Sequence, residues 1–387
     1  MVKVRVGFLS DKNYFDQNAW SGIVYYMHQA LLSTDLAIIN LGKPKNISMV
    51  DTIGKKITKR LLKKDKPKVG SERYFVESQK FAQLIRNQLS RNACDAIFAP
   101  VASKELYFLE TTVPILYLSG MTFKIYKEEY KLNLKHDQKE LEQLDKQERV
   151  ALSKATRVVY PSDWPVHSAI HDYQVDPNKI RVIPYGANLE ELPLVSQINS
   201  YKKQTSPCSL LFVGKDWQRK GGDIAFQTLI SLLNKGIDTE LIIVGCVPPA
   251  EFKHDRLKVI PYLDKSKPKQ KQKFYELFLE SHFFIFPTRA EAFGVVNSEA
   301  NAFGLPVMTT EVGGIPNIVR NGKNGYMFPV SASGEDFANL IAEIFSDQVR
   351  YKQLVRSSRE EYDSRLNWNK WAENIQNVTM EMINTSP

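Results

Sequence analysis

The sequence predicts an α/β protein built of two Rossmann-like, doubly wound domains that face each other across a cleft. Three observations carry that prediction. Short apolar runs with no polar face recur along the chain, each closed by Gly, Pro or Ser and followed by a helical pattern. The same alternation occurs twice, on either side of a polar stretch at 187–209. The chain's 387 residues suffice for two domains of ordinary size, each with its own core.

Strands that are apolar on both faces belong in parallel sheets covered by helices on both sides. In the first half these runs are 3-KVRVGFLS-10, 37-AIINLG-42, 96-AIFAP-100, 114-PILYLSG-120, 157-RVVYPS-162 and 181-RVIPYG-186. In the second half they are 209-SLLFVG-214, 240-ELIIVG-245, 257-LKVIPY-262, 283-FFIFPT-288 and 306-PVMTT-310. Right-handed crossovers between such strands give doubly wound domains. The stretch 187-ANLEELPLVSQINSYKKQTSPCS-209 has no helical stripe and reads as the linker. The expected domains are therefore 1–190 and 206–365. The segment 366–387, with Trp368 and Trp371 on a helix, is expected to pack back on the first.

A hydrophobic content of 43% and a charged content of 25% are those of a soluble globular protein. The opening MVKVRVGFLSD is a charged, alternating strand with no apolar stretch of signal-peptide length. No segment approaches the ~20 apolar residues of a membrane span. Cys94, Cys208 and Cys246 are far apart and form no CxxC, which argues against a disulfide framework or a zinc site. A cytoplasmic protein is expected.

The formal net charge of +9 is concentrated in residues 43–68, where ten Lys or Arg face only Asp51 and Asp65. Val50, Ile53, Ile57 and Leu61 recur there at helical spacing, with basic residues mostly on other faces. This reads as a basic amphipathic helix of the kind that lies on an anionic membrane surface, peripheral to the inner face. A solvated helix packing its stripe on its own domain fits the same pattern. The stretch lacks the interleaved aromatics of a single-strand binder, and no nucleic-acid partner is expected.

In open parallel sheets ligands bind outside the carboxyl ends of the strands, so the loops after strands matter most. Neither domain carries GxGxxG after its first strand, which speaks against a nicotinamide or flavin enzyme. In 286-FPTRAEAFGVVNSEANAFGLPVMTT-310 the strand ends at Pro287, and Glu291 falls in the strand-to-helix loop. Gly294 permits close backbone approach, and a helix is predicted to start near Val295. Its first amides have no acceptor within the helix and form an anion site. Glu299 lies about one turn further in and can accept from a vicinal diol. In 212-FVGKDWQRKGGDIAFQTL-229, Lys215, Arg219 and Lys220 precede a second helix start near Gly221, a setting that suits a diphosphate. In 18-NAWSGIVYYMHQALL-32, Gly22 opens a helical pattern after the first strand. Each feature also has a plain structural reading: Glu299 favouring a helix dipole, a solvated basic turn, an N-cap by Ser21.

In this order and spacing the three stretches resemble the large retaining glycosyltransferase family of the GT-B fold, the GT4-like group. The hallmark is two glutamates separated by seven residues, here Glu291-AFGVVNS-Glu299, followed by 302-AFGLPVMTT-310, 313-GGIP-316 and 321-NGKNGY-326. The WSG loop, 160-YPSDW-164 and 183-IPYGAN-188 extend the likeness over nearly the whole chain.

The resemblance implies transfer of a hexosyl unit from a UDP- or GDP-sugar to a hydroxyl of a carbohydrate or lipid-linked acceptor, with retention of configuration. Cell-surface polysaccharide or glycolipid synthesis is the implied setting. Glu291 would contact the transferred sugar beside the reacting carbon. Backbone amides of Phe293, Gly294, Val295 and Val296 would hold sugar hydroxyls and donor phosphate. Glu299 would accept from the ribose. Lys220 would neutralise the diphosphate, with Arg219 and Lys215 beside it. Gly22 would close over the phosphate, and Tyr262 and Leu263 would lie near the nucleobase. No cofactor or metal is expected, since neither cleft loop offers a DxD-type cluster.

Two positions depart from the family pattern. Asn317 stands where Glu is usual after GGIP, and 117-YLSGMTF-123 lacks a histidine that many members place beneath the donor sugar. His28 and His167 sit in helical patterns and read as structural. A nucleotide-sugar epimerase of the same fold and a non-catalytic sugar-nucleotide-binding protein are the alternatives.

Overall fold

Runs of β-branched and aromatic residues that are apolar on both faces form strands buried on both faces. In the computed structural model they assemble into two parallel sheets. The structure describes residues 3–10, 12–17, 19–41, 71–131, 137–201 and 207–385. Strands β1 (Arg5–Phe8), β2 (Ala37–Asn40), β3 (Ala96–Pro100), β4 (Ile115–Leu118), β5 (Arg157–Tyr160) and β6 (Ile180–Val182) form the first sheet, in the order β2-β1-β3-β4-β5-β6. Strands β7 (Cys208–Val213), β8 (Thr239–Val244), β9 (Leu257–Ile260), β10 (Phe283–Phe286), β11 (Val307–Thr310) and β12 (Gly325–Phe328) form the second, in the order β12-β11-β10-β7-β8-β9.

The chain falls into two units. One comprises 1–160, 165–181 and 375–387; the other comprises 161–164 and 182–374. In the first, Ile97, Tyr117, Val158 and Tyr160 of the sheet pack against Leu106, Ala151 and Leu152 of the covering helices. In the second, Leu210, Phe212, Ile243, Phe283, Ile285 and Met308 pack against Leu229, Leu232, Phe337 and Ile341.

Three elements differ from the reading of the sequence. The expected linker contains a helix, Val195–Tyr201, of which Ile198 alone is buried. One buried residue leaves no stripe to detect. NGKNGY is a turn that runs on into β12, an edge strand of only four residues whose last three are half-buried. The terminal helix, Trp368–Thr385, is divided: its first turns group with the second unit, and Ile375 onward with the first. There Glu381 pairs with Arg157 at 3.1 Å and Arg181 at 2.6 Å. Residues 43–68, with the expected basic helix, lie outside the described residues. Among the described residues no helix is long and apolar enough to cross a membrane.

Candidate functional site

The strand order of the second sheet decides which loops meet. The chain moves from β7 outward to β8 and β9, then crosses back to place β10 against the other edge of β7. Loops leaving neighbouring strands in opposite directions open a crevice at their carboxyl ends. Here those loops are 214–221 after β7 and 287–294 after β10. They touch at the backbone. Gly221 has φ 75°, and a Cβ at that position would lie 1.9 Å from the Pro287 carbonyl oxygen, so only glycine lets the two turns close.

Lys220 ends a short helix, Trp217–Lys220, whose first turn is capped by Asp216 accepting from the Arg219 amide at 3.0 Å. The Lys220 ammonium is carried inward and donates to Glu291 Oε2, while Glu291 Oε1 accepts from the Ala292 amide at 3.1 Å. Both side chains are nearly buried, with 11% and 14% exposure. The ammonium also lies 4.8 Å from the centre of the Phe286 ring. Burial pulls the Lys220 pKa down and the Glu291 charge pushes it back part of the way. An ammonium so placed is held rigidly and is poorly solvated, the state in which it acts most strongly on a nearby developing charge.

Beside this pair, the helix Val295–Ala302 begins where the spacing predicts, with Gly294 at its N-cap and φ 85°. Val295 and Val296 open the helix, where amides have no acceptor within it. Phe293 turns inward, its ring 5.1 Å from Tyr185, which stacks on Trp368. The stretch 183–188 and the start of the terminal helix thus form the packing base of this corner. Glu299 lies one turn along and is 3% exposed. It accepts from Lys265 Nζ at 2.9 Å. Lys265 shares the loop after β9 with Tyr262, which is 54% exposed, and Leu263, which is half-buried. Within the second unit the structure therefore brings Arg219, Lys220, Glu291, Gly294, Val295, Val296 and Glu299 to one edge of the sheet. Lys215 follows β7 but points to solvent and makes no ion pair among the described residues.

Gly22 belongs to the first unit, at the equivalent strand-to-helix loop. It is the N-cap of the helix Ile23–Leu32 and has φ 83°, and Trp20 and Ser21 before it have φ 48° and 56°. Gly22 therefore takes the N-cap position that the Ser21 reading assigned one residue earlier. Left-handed backbone costs a non-glycine residue about 1–2 kcal/mol, and such strain concentrates in loops shaped for a ligand. His28 is buried, stacks 4.7 Å from Tyr14 and bonds Asn40 Oδ1 at 2.9 Å, a packing role. Asn317 pairs reciprocally with Asp163, accepting from its amide at 3.0 Å and donating to Oδ2 at 2.7 Å. A glutamate there would face that carboxylate with like charge.

Reading the sequence missed Arg289. Its guanidinium grips Asp223 through both oxygens, at 2.9 and 2.7 Å, and donates to the Gln218 carbonyl at 2.5 Å. Burial raises the Asp223 pKa, but the Arg289 fork and the amides at the helix start outweigh it and leave the carboxyl below its ordinary range. The Arg289 amide donates to the Arg219 carbonyl at 2.8 Å, and Arg219 Nη1 returns to Ala290 O at 3.1 Å. Arg289 and Arg219 thus brace the Lys220 loop to the Glu291 loop. Arg289→Lys keeps the charge and loses the fork. Turnover is expected to fall about tenfold with the melting temperature little changed, because ångström-scale misplacement of reacting groups costs up to ~10²-fold. Unchanged steady-state kinetics in Arg289→Ala would remove the bracing role. Among the described residues no three His, Cys, Asp or Glu side chains gather as metal ligands.

Residues 196–361 match the family model described as Glycosyl transferases group 1. Among curated proteins, the chain is 28% identical over 185 residues to spore coat protein SA of Bacillus subtilis, covering 44% of this chain and 48% of that one. It is 23% identical over 251 residues to the D-inositol 3-phosphate glycosyltransferase of Corynebacterium diphtheriae, covering 60% and 57%. It is also 23% identical over 233 residues to the capsular polysaccharide biosynthesis glycosyltransferase CapM of Staphylococcus aureus, covering 56% and 60%. The chain spans about half the length of the curated relatives it matches. Among solved structures, sucrose-phosphate synthase from Thermosynechococcus elongatus superposes with a TM-score of 0.70 at 18% identity, covering 99% and 100%. HepE from Anabaena, in complex with UDP and glucose, superposes with 0.58 at 14%, covering 97% and 99%. These likenesses show the fold, which is GT-B.

Proposed function

The chain belongs to the group 1 glycosyltransferases through residues 196–361, and we propose that it moves a hexosyl unit from a UDP- or GDP-sugar to a hydroxyl acceptor with retention of configuration. One observation carries this reading: a buried lysine and a nearly buried glutamate, delivered by separate loops, meet at the start of a helix that carries a second, buried glutamate.

Departure of the nucleotide places negative charge on the β-phosphate. Lys220 and the amides of Val295 and Val296 are preorganised to stabilise it, with Arg219 at the rim. The anomeric C–O bond to phosphate breaks, and a bond to the acceptor oxygen forms on the same face. The leaving phosphate takes the acceptor's proton, so the protein supplies no nucleophile. Glu291 orients the sugar hydroxyls, and Glu299 accepts from the ribose. Charge stabilisation by lysine and amides leaves no step that needs a divalent metal.

The capsular and spore-coat relatives support a cell-surface polysaccharide or glycolipid acceptor. The UDP in the HepE complex supports a uridine donor. The charge of residues 43–68 supports work at the inner face of the membrane. Cosedimentation with anionic but not neutral vesicles, lost at high salt, checks that last point.

Thermal stabilisation against a panel of UDP-, GDP- and ADP-sugars tests the donor site, since ligand at 100 times its dissociation constant adds about 2.7 kcal/mol. One nucleotide series is expected to shift the transition, and product analysis with an acceptor extract is expected to show transfer. Conversion of the sugar in the donor alone would make the protein an epimerase. A panel without any shift would overturn the donor site.

A further inference from the structure

We infer that Lys265 is a positioning residue for nucleotide recognition: it fixes Glu299 so that the carboxylate presents one oxygen to the ribose diol of the donor. This rests on the reading above, in which Glu299 meets the ribose.

The inference starts from a charge that needs a partner. Glu299 sits in the second turn of its helix at 3% exposure, and a carboxylate so buried is costly unless it is paired. Lys265 supplies the pairing, with Nζ 2.9 Å from Oε1. Among the described residues nothing donates to Oε2. The ammonium thus occupies one oxygen and leaves the other with its lone pairs for hydroxyl donors.

Lys265 is itself held in place. Asp264 Oδ1 accepts from the Ser266 amide at 3.0 Å and from its hydroxyl at 2.6 Å, which winds the loop into a tight turn around position 265. Gln270 ties that turn to the following helix by accepting from the Asp264 amide at 2.7 Å. The ammonium reaches the Asn188 carbonyl at 3.5 Å and lies 5.2 Å from the centre of the Phe274 ring. Lys271, on the same helix as Phe274, is committed to Glu190 at 2.5 Å. The Lys265 side chain keeps 34% exposure, so a substitution there opens no cavity in the core.

The test compares a nucleoside diphosphate with its 2′,3′-dideoxy analogue, using the base that the thermal panel selects. Dissociation constants are measured by calorimetry for the wild type, Lys265→Met, Lys265→Gln and Lys265→Arg. The wild type is expected to prefer the ribonucleotide. Lys265→Met is expected to weaken ribonucleotide binding about tenfold, the size of one well-formed charged hydrogen bond, and to leave the dideoxy analogue unchanged. Lys265→Arg is expected to recover most of the loss and Lys265→Gln little of it. In steady state the effect is expected in KM for the donor, with kcat within about threefold. Equal weakening of both nucleotides, or of neither, overturns the inference, because Lys265 would then serve the phosphates, the fold or nothing. A wild type that binds both nucleotides equally overturns the ribose role of Glu299 itself. That is a different failure, visible before any variant is made.

Discussion

Lys220→Met is expected to lower kcat by about 10²–10³-fold, the usual cost of removing one preorganised donor from a developing oxyanion. Lys220 is buried and its ammonium is fixed between Glu291 and the face of Phe286, so in the proposed reaction it needs no reorganisation when charge appears on the leaving phosphate. A merely structural lysine could give the same loss by a different route. Removing it strands Glu291 as an unpaired, nearly buried carboxylate, and breaking such pairs costs about 3–5 kcal/mol in buried settings. Thermal unfolding separates the two causes. The double variant Lys220→Met/Glu291→Gln removes the stranded charge and is expected to recover the melting temperature without recovering turnover. Recovered turnover in the double variant would sink the catalytic assignment of the pair. Glu291→Gln alone is expected to reduce kcat with KM for the donor nearly unchanged, since an orienting acid acts in the transition state more than in the bound ground state.

The parts of this site that were legible are those written in local pattern. Gly294 followed by Val-Val-Asn-Ser-Glu announced the helix start at Val295, because a helix terminus has its own chemistry, whereas the left-handed N-cap at Gly294 is a finding of the structure. The central strands were legible because doubly buried strands are apolar throughout, and the half-buried edge strand β12 was not. Partnerships across the sheet were not legible. Lys220 and Glu291 are 71 residues apart, and nothing near either names the other. They meet because β7 and β10 are neighbours, a fact of strand order rather than of sequence. Arg289 and Lys265 carry no local signal for the same reason. Their carboxylate partners, Asp223 and Glu299, lie 66 and 34 residues away. Asn317 was legible as a departure, and Asp163 now accounts for it. The division of the chain was less legible, because the terminal helix serves both units with one continuous buried stripe, Trp368, Trp371, Ala372, Ile375, Val378 and Met382, that does not mark where the change falls.

The second large effect lies away from the site, in the core of the first unit. Glu148, on the helix Gln138–Lys154, is buried among Tyr117, Tyr160 and the sheet. Burial pushes its pKa up from 4.5 to about 7; a hydrogen bond from the Tyr117 hydroxyl at 2.8 Å opposes the rise, and the charge of Asp145 adds to it. Among the described residues its Oε1 has no partner, so the tyrosine's single bond cannot offset the loss of water. The folded-state pKa lies above the unfolded one. The protonated form therefore suits the fold, and its stability is fully present below pH ~4.5 and lost as pH rises to ~7. A displacement from 4.5 to about 7 corresponds to roughly 3 kcal/mol. Glu148→Gln mimics the protonated acid and keeps an acceptor for Tyr117. It is expected to match the wild type near pH 4.5 and to exceed it by roughly 3 kcal/mol near pH 8, or about 6–12 °C in the melting transition of a unit this size. Calorimetric melting of both proteins across that range checks it, and the quantity to read is their difference. A difference that stays constant with pH would show that Glu148 is ionised in the folded unit at all these pH values, held so by a partner that the burial argument omits.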